Sequence, residues 1–325
     1  MRFRRFVIKA GQMLLLFCLL IVLVFFLSRL APGDPLRAYY GQSVERMNEQ
    51  QRAAAEEKLG LNQPLAAQFA IWCKNALRGE FGISFQYKQD VLAVISQRYQ
   101  NTLVLGGAAF LLTFALAIPL GIYCAEHEGS LADKLLSRLG AALSCIPTFF
   151  LALLLIALFS VRLGLLPSGG AYPVGAAADL GGRLRHLVLP AATIALGHFW
   201  HYAYLVRARL ADELNADYVL MLRAKGIGRR KILWKHCLRG ALPSLLAMVA
   251  MAVPHLVGGA YLVEKVFSYP GLGALAFEAA QYHDYNLLLV LCVLTGAVVV
   301  LCSMLAEALG EKADPRTRRE EAPHG

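Results

Sequence analysis

The side chains of this sequence best placed to do chemistry are imidazoles and guanidiniums. His198 and His201 stand at i, i+3 inside one apolar run, on one face of a helix. His255 lies in the next apolar run, near Gly258-Gly259. An ionisable group inside a membrane segment marks a path or a binding site. Neutral imidazole also suits nickel or another borderline metal, or a plain hydrogen bond to a neighbouring helix. The basic groups gather in one stretch, DYVLMLRAKGIGRRKILWKHCLRGALP, from Asp217-Tyr218 to Leu242-Pro243. Ala224 and Lys225 are helix formers, Gly226 allows a bend, and Arg229, Arg230 and Lys231 open a second helical run. Apolar Ile227, Ile232, Leu233 and Trp234 make this a folded helix–turn–helix rather than a bare charged anchor. Such an element suits docking on a soluble partner.

Other chemistries are missing. The chain has no Gly-Lys dipeptide, so it carries no P-loop. Glu126-His127-Glu128 has the wrong order for an H-E-x-x-H zinc site, and no G-x-S-x-G elbow occurs. No C-x-x-C pair exists among the seven cysteines. Five of these fall in apolar runs and Cys237 in the basic loop. Only Cys73 faces outward in the expected topology, which leaves no disulfide framework. Chains of acidic residues typical of proton relays are also lacking, Glu307 being the nearest candidate. The sequence reads as a path without its own motor.

The elements that must position these groups are membrane helices. Of 325 residues 58% are hydrophobic, and the mean hydropathy is +0.52. Six apolar runs reach the length needed to cross a bilayer, at about 7–28, 100–124, 138–161, 187–206, 241–263 and 286–309. The first is too long for a signal-peptide core and lacks a cleavage site, so an uncleaved span is expected. With both termini in the cytosol, 19 of the 32 Lys and Arg lie inside. The net charge of +10 is then membrane asymmetry and calls for no nucleic acid.

Between the first two runs, Ala31-Pro-Gly-Asp-Pro35 predicts a rigid turn. Residues 43–59 predict a polar helix ended by Gly60. Leu65–Leu77 predicts an amphipathic helix, with Phe69 and Trp72 turned to the outer membrane face or to the protein's own flank. Pro119, Pro147, Pro190 and Pro254 predict kinked helices around a cavity. Glu264 to Gly273, with Pro270 and Gly271, is too polar to cross and predicts an outer turn or gate leading into a short helix. Arg207 and Arg209 end the fourth run as interface anchors. The tail from Lys312 is expected to be disordered.

These residues carry a resemblance. Ala31-Pro-Gly-Asp-Pro35, Leu59-Gly-Leu-Asn-Gln-Pro-Leu65, Asn75-Ala-Leu-Arg-Gly-Glu-Phe-Gly82, Leu163-Gly-Leu-Leu-Pro-Ser-Gly169 and His186-Leu-Val-Leu-Pro190 appear in order. Asp217-Tyr218-Val219 with Ala224-Lys225-Gly226, then Glu264 to Gly273, Asp284-Tyr285 and Asp314-Pro-Arg316 follow. Together they resemble the first permease subunit of binding-protein-dependent ABC importers for peptides and nickel, over nearly the whole chain. The resemblance implies an all-α, MetI-like type I permease in the bacterial inner membrane. Its parts would be a membrane helix at 1–30, a periplasmic loop region at 31–96, the permease domain at 97–309 with a coupling loop at about 212–240, and a cytosolic tail at 310–325. It implies a second homologous permease, two cytosolic ATPase subunits or domains, and a periplasmic or lipid-anchored substrate-binding protein as partners. No cofactor or metal belongs to this chain; ATP and Mg sit on the partners.

By the same resemblance Asp217, Tyr218, Ala224, Lys225, Gly226, Arg229 and Arg230 form the ATPase contact. Leu220, Met221 and Leu222 stand where the general importer motif has Glu-Ala-Ala. His198, His201 and His255 depart from the small or aliphatic residues usual there and become candidates for the translocation path. Di- or oligopeptides are the expected substrate. Nickel, a metal chelate such as an opine or metallophore, or another small solute is the alternative within the family. A secondary transporter or a metal-dependent membrane enzyme is the alternative outside it.

Overall fold

Long apolar stretches without breaks in pattern become long helices, because a chain in lipid must satisfy its backbone internally. The computed structural model describes residues 2–30, 35–173, 175 and 179–313. Side chains at 2–7, 35, 255–259 and 309–313 are outside that description. So are the turn at 31–34, the Asp314-Pro-Arg316 motif, the disorder expected for the tail, and the imidazole of His255.

In chain order the helices are α1 (Arg2–Leu30), α2 (Pro35–Tyr40), α3 (Glu49–Lys58), α4 (Leu65–Ala76), α5 (Val91–Glu126), α6 (Leu131–Ser144) and α7 (Thr148–Leu155). After them come α8 (Leu180–Leu214), α9 (Asp217–Ala224), α10 (Arg229–Ile232), α11 (Leu238–Val266), α12 (Leu272–Gln281) and α13 (Tyr285–Ala313). Four described helices are long and apolar enough to span a membrane, or five if the bent pair α6–α7 is one span.

The third expected span departs from a straight helix. Residues 131–162 bend by 96° where Cys145-Ile146-Pro147 interrupts the chain. Pro147 has no amide hydrogen to continue the ladder, and it precedes the first turn of α7. Pro119, Pro190 and Pro254 lie within α5, α8 and α11, which run on past them. The fourth expected span lies in α8, which is long enough but carries arginines and histidines and falls short of the same apolarity.

Two compact units result. One holds residues 1–102 and 270–300, the other 103–269 and 301–325. In the first, α3 starts with a capping box in which Asn48 and Gln51 satisfy each other's backbone amides. The amphipathic helix α4 settles on the protein's own flank: Phe69 and Trp72 lie 5.1 and 6.3 Å from Phe25 of α1. In the second unit α8 is the axis, packed against α6, α7 and α11. Its apolar face, with Ile194, Phe199, Tyr202 and Ala203, meets Leu105, Phe114, Ala252 and Val263.

Candidate functional site

The basic stretch folds as a corner of the second unit. α8 ends at Leu214, Asn215 and Ala216 break the helix, and α9 restarts with Asp217 in its first turn, where a carboxylate suits the helix dipole. α9 stops after Ala224 in a Schellman turn. The Gly226 amide donates to Arg223 O (2.9 Å) and that of Ile227 to Leu222 O (3.2 Å), with Gly226 at φ +75°. A π-helical segment, Leu233–Cys237, then joins α10 to α11.

Beneath the corner Val219, Ile232, Leu233 and Cys237 are fully buried against Val206, Leu210 and Leu214 of α8 and Ile122 and Ala125 of α5. The hydroxyl of Tyr218 donates to Glu213 Oε2 at 2.7 Å. Burial, and next that hydrogen bond, pushes its pKa far above the ordinary phenol value. Leu220 and Met221 point outward instead, 72% and 53% exposed, beside exposed Ala224, Lys225 and Gly226. Arg229 and Arg230 are exposed, and each also reaches the end of α5. Arg229 Nη2 donates to Ala125 O (3.3 Å), and Arg230 Nε lies 3.7 Å from Glu126 Oε1, both at the C-terminus of α5. Cations suit that helix end.

α8 also walls a cavity of about 310 Å³, lined mostly by apolar atoms of α5, α6 and α8. Exposed His201 lines it with Trp200, Tyr204 and Ser137, whereas half-buried His198 does not. Among the described residues no group of three His, Cys, Asp or Glu could hold a metal.

Arg207, expected as an interface anchor, has a more specific task. Its Nε and Nη2 fork onto Asp133 Oδ1 and Oδ2 at 2.6 and 2.7 Å. The Asp133 side chain is 2% exposed and also accepts the Gly129 amide (3.0 Å). Sequence reasoning passed over Asp133. Ser130-x-x-Asp133 signals a helix start, but nothing local points 74 residues on to Arg207.

Glu264 lies fully buried near the end of α11. There the Gly170 amide donates to Phe267 O (2.7 Å), and His186 Nδ1 donates to Gly169 O (2.8 Å). A Cβ on Gly169 would fall 2.6 Å from Phe267 O. In the first unit Asn101 Nδ2 donates to Pro270 O (2.9 Å), and Thr102 Oγ1 accepts the Leu272 amide (2.7 Å), which positions Gly271 and Gly273 at the start of α12. Also in that unit, buried Asp284 accepts from Ser84 Oγ, from the Gln86 amide (3.1 Å) and from the Leu287 amide (3.2 Å). Beside it Tyr87 Oη donates to Glu278 (2.9 Å) and accepts from Arg98 (2.8 Å).

Long apolar helices, a half-open cavity walled by α5, α6 and α8 and an exposed helical corner suit a membrane transport subunit. Residues 117–319 match the family described as the binding-protein-dependent transport system inner membrane component, and residues 2–106 match its N-terminal companion; the chain belongs to this family. It is 32% identical to the oligopeptide transport system permease protein AppB of Bacillus subtilis, over 91% of this chain and 93% of that one. To OppB of Haemophilus influenzae, also named an oligopeptide transport system permease, it is 31% identical over 92% and 94%. Its fold is that of a chain in the inward-facing MetNI methionine ABC transporter, with a TM-score of 0.56 and 18% identity over 69% of this chain and 97% of that one. The protein is therefore a multi-pass, MetI-like permease of the bacterial inner membrane, a non-catalytic subunit of a binding-protein-dependent ABC importer. Such permeases carry no cofactor; ATP is bound by ATPase subunits, and a binding protein delivers the solute.

Proposed function

We propose that this chain is the first of two homologous permeases in an importer of di- and oligopeptides. It crosses the membrane six times, through α1, α5, the bent α6–α7 pair, α8, α11 and α13, with both termini cytosolic. The Lys and Arg bias supports that orientation. Regions 1–30, 31–96, 97–309 and 310–325 serve as first span, outer loop, permease domain and tail. Two ATPase subunits dock beneath, and a periplasmic or lipid-anchored binding protein delivers peptide from outside. The names borne by AppB and OppB support a peptide substrate.

One observation carries the docking assignment: Leu220 and Met221 are exposed, with Trp234 half-exposed, on a corner whose Val219, Ile232, Leu233 and Cys237 are buried. Asp217, Ala224, Lys225 and Gly226 border that face, Tyr218 braces it from behind, and exposed Arg229 and Arg230 extend it toward the end of α5. When ATP draws the two ATPases together, the corner moves as a rigid body and the permease pair alternates access. His201 faces the cavity as a candidate path residue, His198 and His255 join it on sequence position, and Glu264, Pro270, Gly271 and Gly273 form the outer turn.

The test compares wild type with Leu220→Asp, Ala224→Asp and Gly226→Asp. Each variant is purified with the ATPase and the second permease, then assayed for uptake of a labelled tripeptide into vesicles. Wild type retains the ATPase and takes up tripeptide only with ATP and binding protein; the variants lose the ATPase by about tenfold or more. Uptake that persists without ATP and follows an ion gradient would sink the proposal.

A further inference from the structure

The corner described above can act on the permeation path only if its motion reaches the helices that wall the cavity. α9 is joined to α8 through Asn215-Ala216, so a push on α9 displaces α8. α6 is a separate case. It follows a turn after α5, bends away at Pro147, and contributes Leu136, Ser137, Gly140, Ala141 and Ser144 to the cavity. Its ties to α8 are of two kinds. Gly140 lets the ring of Trp200 come so near that a Cβ there would fall 2.7 Å away, a contact of shape alone. The Arg207–Asp133 fork is the directional tie, with two parallel charge-assisted bonds that fix distance and angle together.

We infer that the Asp133–Arg207 fork is a transmission lock, which makes α6 and its cavity wall follow α8 when the ATPase-docking corner moves. Asp133 and Arg207 are positioning residues here. Arg207 also lines the cavity, but its task in the lock is to set, with Asp133, how much solute moves per ATP. Asp133 suits the task because its backbone amide donates to Ser130 Oγ and its Oδ2 accepts the Gly129 amide, which ties both backbone and carboxylate to the first turn of α6. The lock rests on the importer reading proposed above.

The experiment uses the complete transporter in vesicles with its ATPases and binding protein, and reads ATP hydrolysed and tripeptide taken up in the same sample. The variants are Asp133→Asn, Arg207→Ala and Arg207→Lys; the last keeps charge and stem but loses the fork and guards against a folding failure. In each, ATP hydrolysis continues while uptake falls, raising the ATP used per peptide by about tenfold. The KM for peptide on its binding protein stays at the wild-type value. If hydrolysis and uptake fall together at an unchanged ratio, or neither changes, the lock is overturned. It is equally overturned if only the Arg207 variants respond, since Arg207 would then be a contact in the path. Failure of the importer reading looks different: wild type itself would show no ATP-dependent uptake.

Discussion

The proposed docking corner and the Asp284 hub are built from similar materials. Each is a short motif of acids, bases, aromatics and a left-handed glycine, Gly226 in one and Gly82 in the other. The hub turns its polar groups inward. Asp284 is fully buried and satisfies three donors, and Glu278, Tyr87 and Arg98 close a second network beside it. The corner turns apolar groups outward, with Leu220 and Met221 exposed over a filled core. A motif whose polar groups are satisfied internally holds the fold, whereas one that leaves large apolar side chains in solvent awaits a partner.

The largest effect expected from this contrast is at Asp284. Asp284→Ala leaves the Ser84 hydroxyl and the amides of Gln86 and Leu287 without their acceptor inside the protein. At about 1–3 kcal/mol per buried unmet donor, the loss amounts to about 3 kcal/mol or more. The variant should unfold well below wild type in detergent, or fail to accumulate in the membrane. Leu220→Asp, by contrast, should melt within about 0.5 kcal/mol of wild type while losing the ATPase. If Leu220→Asp melts early, or Asp284→Ala melts normally, the division between holding and docking is wrong.

The two glycines rank next. Both have positive φ, so an alanine is strained at either by about 1 kcal/mol. At Gly226 nothing lies within 4 Å of the added methyl. At Gly82 the methyl would also stand 3.2 Å from Asn286 Nδ2, whose amide donates to Ile83 O. Gly82→Ala should therefore be the more destabilising, by about 1 kcal/mol of overpacking. Equal melting points for the two variants would remove this difference between hub and corner.

The sequence made the helical class, the family and the corner's helix–turn–helix legible, because apolar run length, glycine placement and charge bias are local signals. It marked Pro147 as one of four kink positions, without showing that this proline interrupts a helix while Pro119, Pro190 and Pro254 do not. That difference depends on whether neighbouring helices satisfy the freed carbonyl, which is tertiary. Arg229 and Arg230 read as partner contacts because both are basic; the structure leaves both exposed and adds a contact of each with the end of α5. The C-terminus of α5 that receives them lies about a hundred residues away in the sequence. The Asp133–Arg207 fork was hidden for the same reason. His198 and His201 share a helical face by their spacing, and the spacing alone does not tell that His201 is the one lining the cavity.

The smallest effect concerns two half-buried phenols, one in each region. Tyr218 has its pKa raised first by burial and then by Glu213, with no cation among the causes of its shift. Tyr87 is raised by burial and Glu278, but Arg98 pulls it back. A phenol with a raised folded pKa favours the fold fully below its unfolded value of about 10, and the stability it lends drains away as pH climbs past that point. Wild type should exceed Tyr218→Phe by about 1 kcal/mol at neutral pH, the net worth of one hydrogen bond. Above pH 10 the wild-type advantage should shrink by up to about 1.4 kcal/mol per pH unit, so the two melting curves cross within about one unit. Tyr87→Phe should show a shallower approach, because Arg98 tolerates the phenolate that Glu213 rejects. An advantage for Tyr218 that stays constant from pH 8 to about pH 11 would mean its hydroxyl is open to water. The corner would then lack the internal brace that distinguishes its rigid back from its exposed docking face.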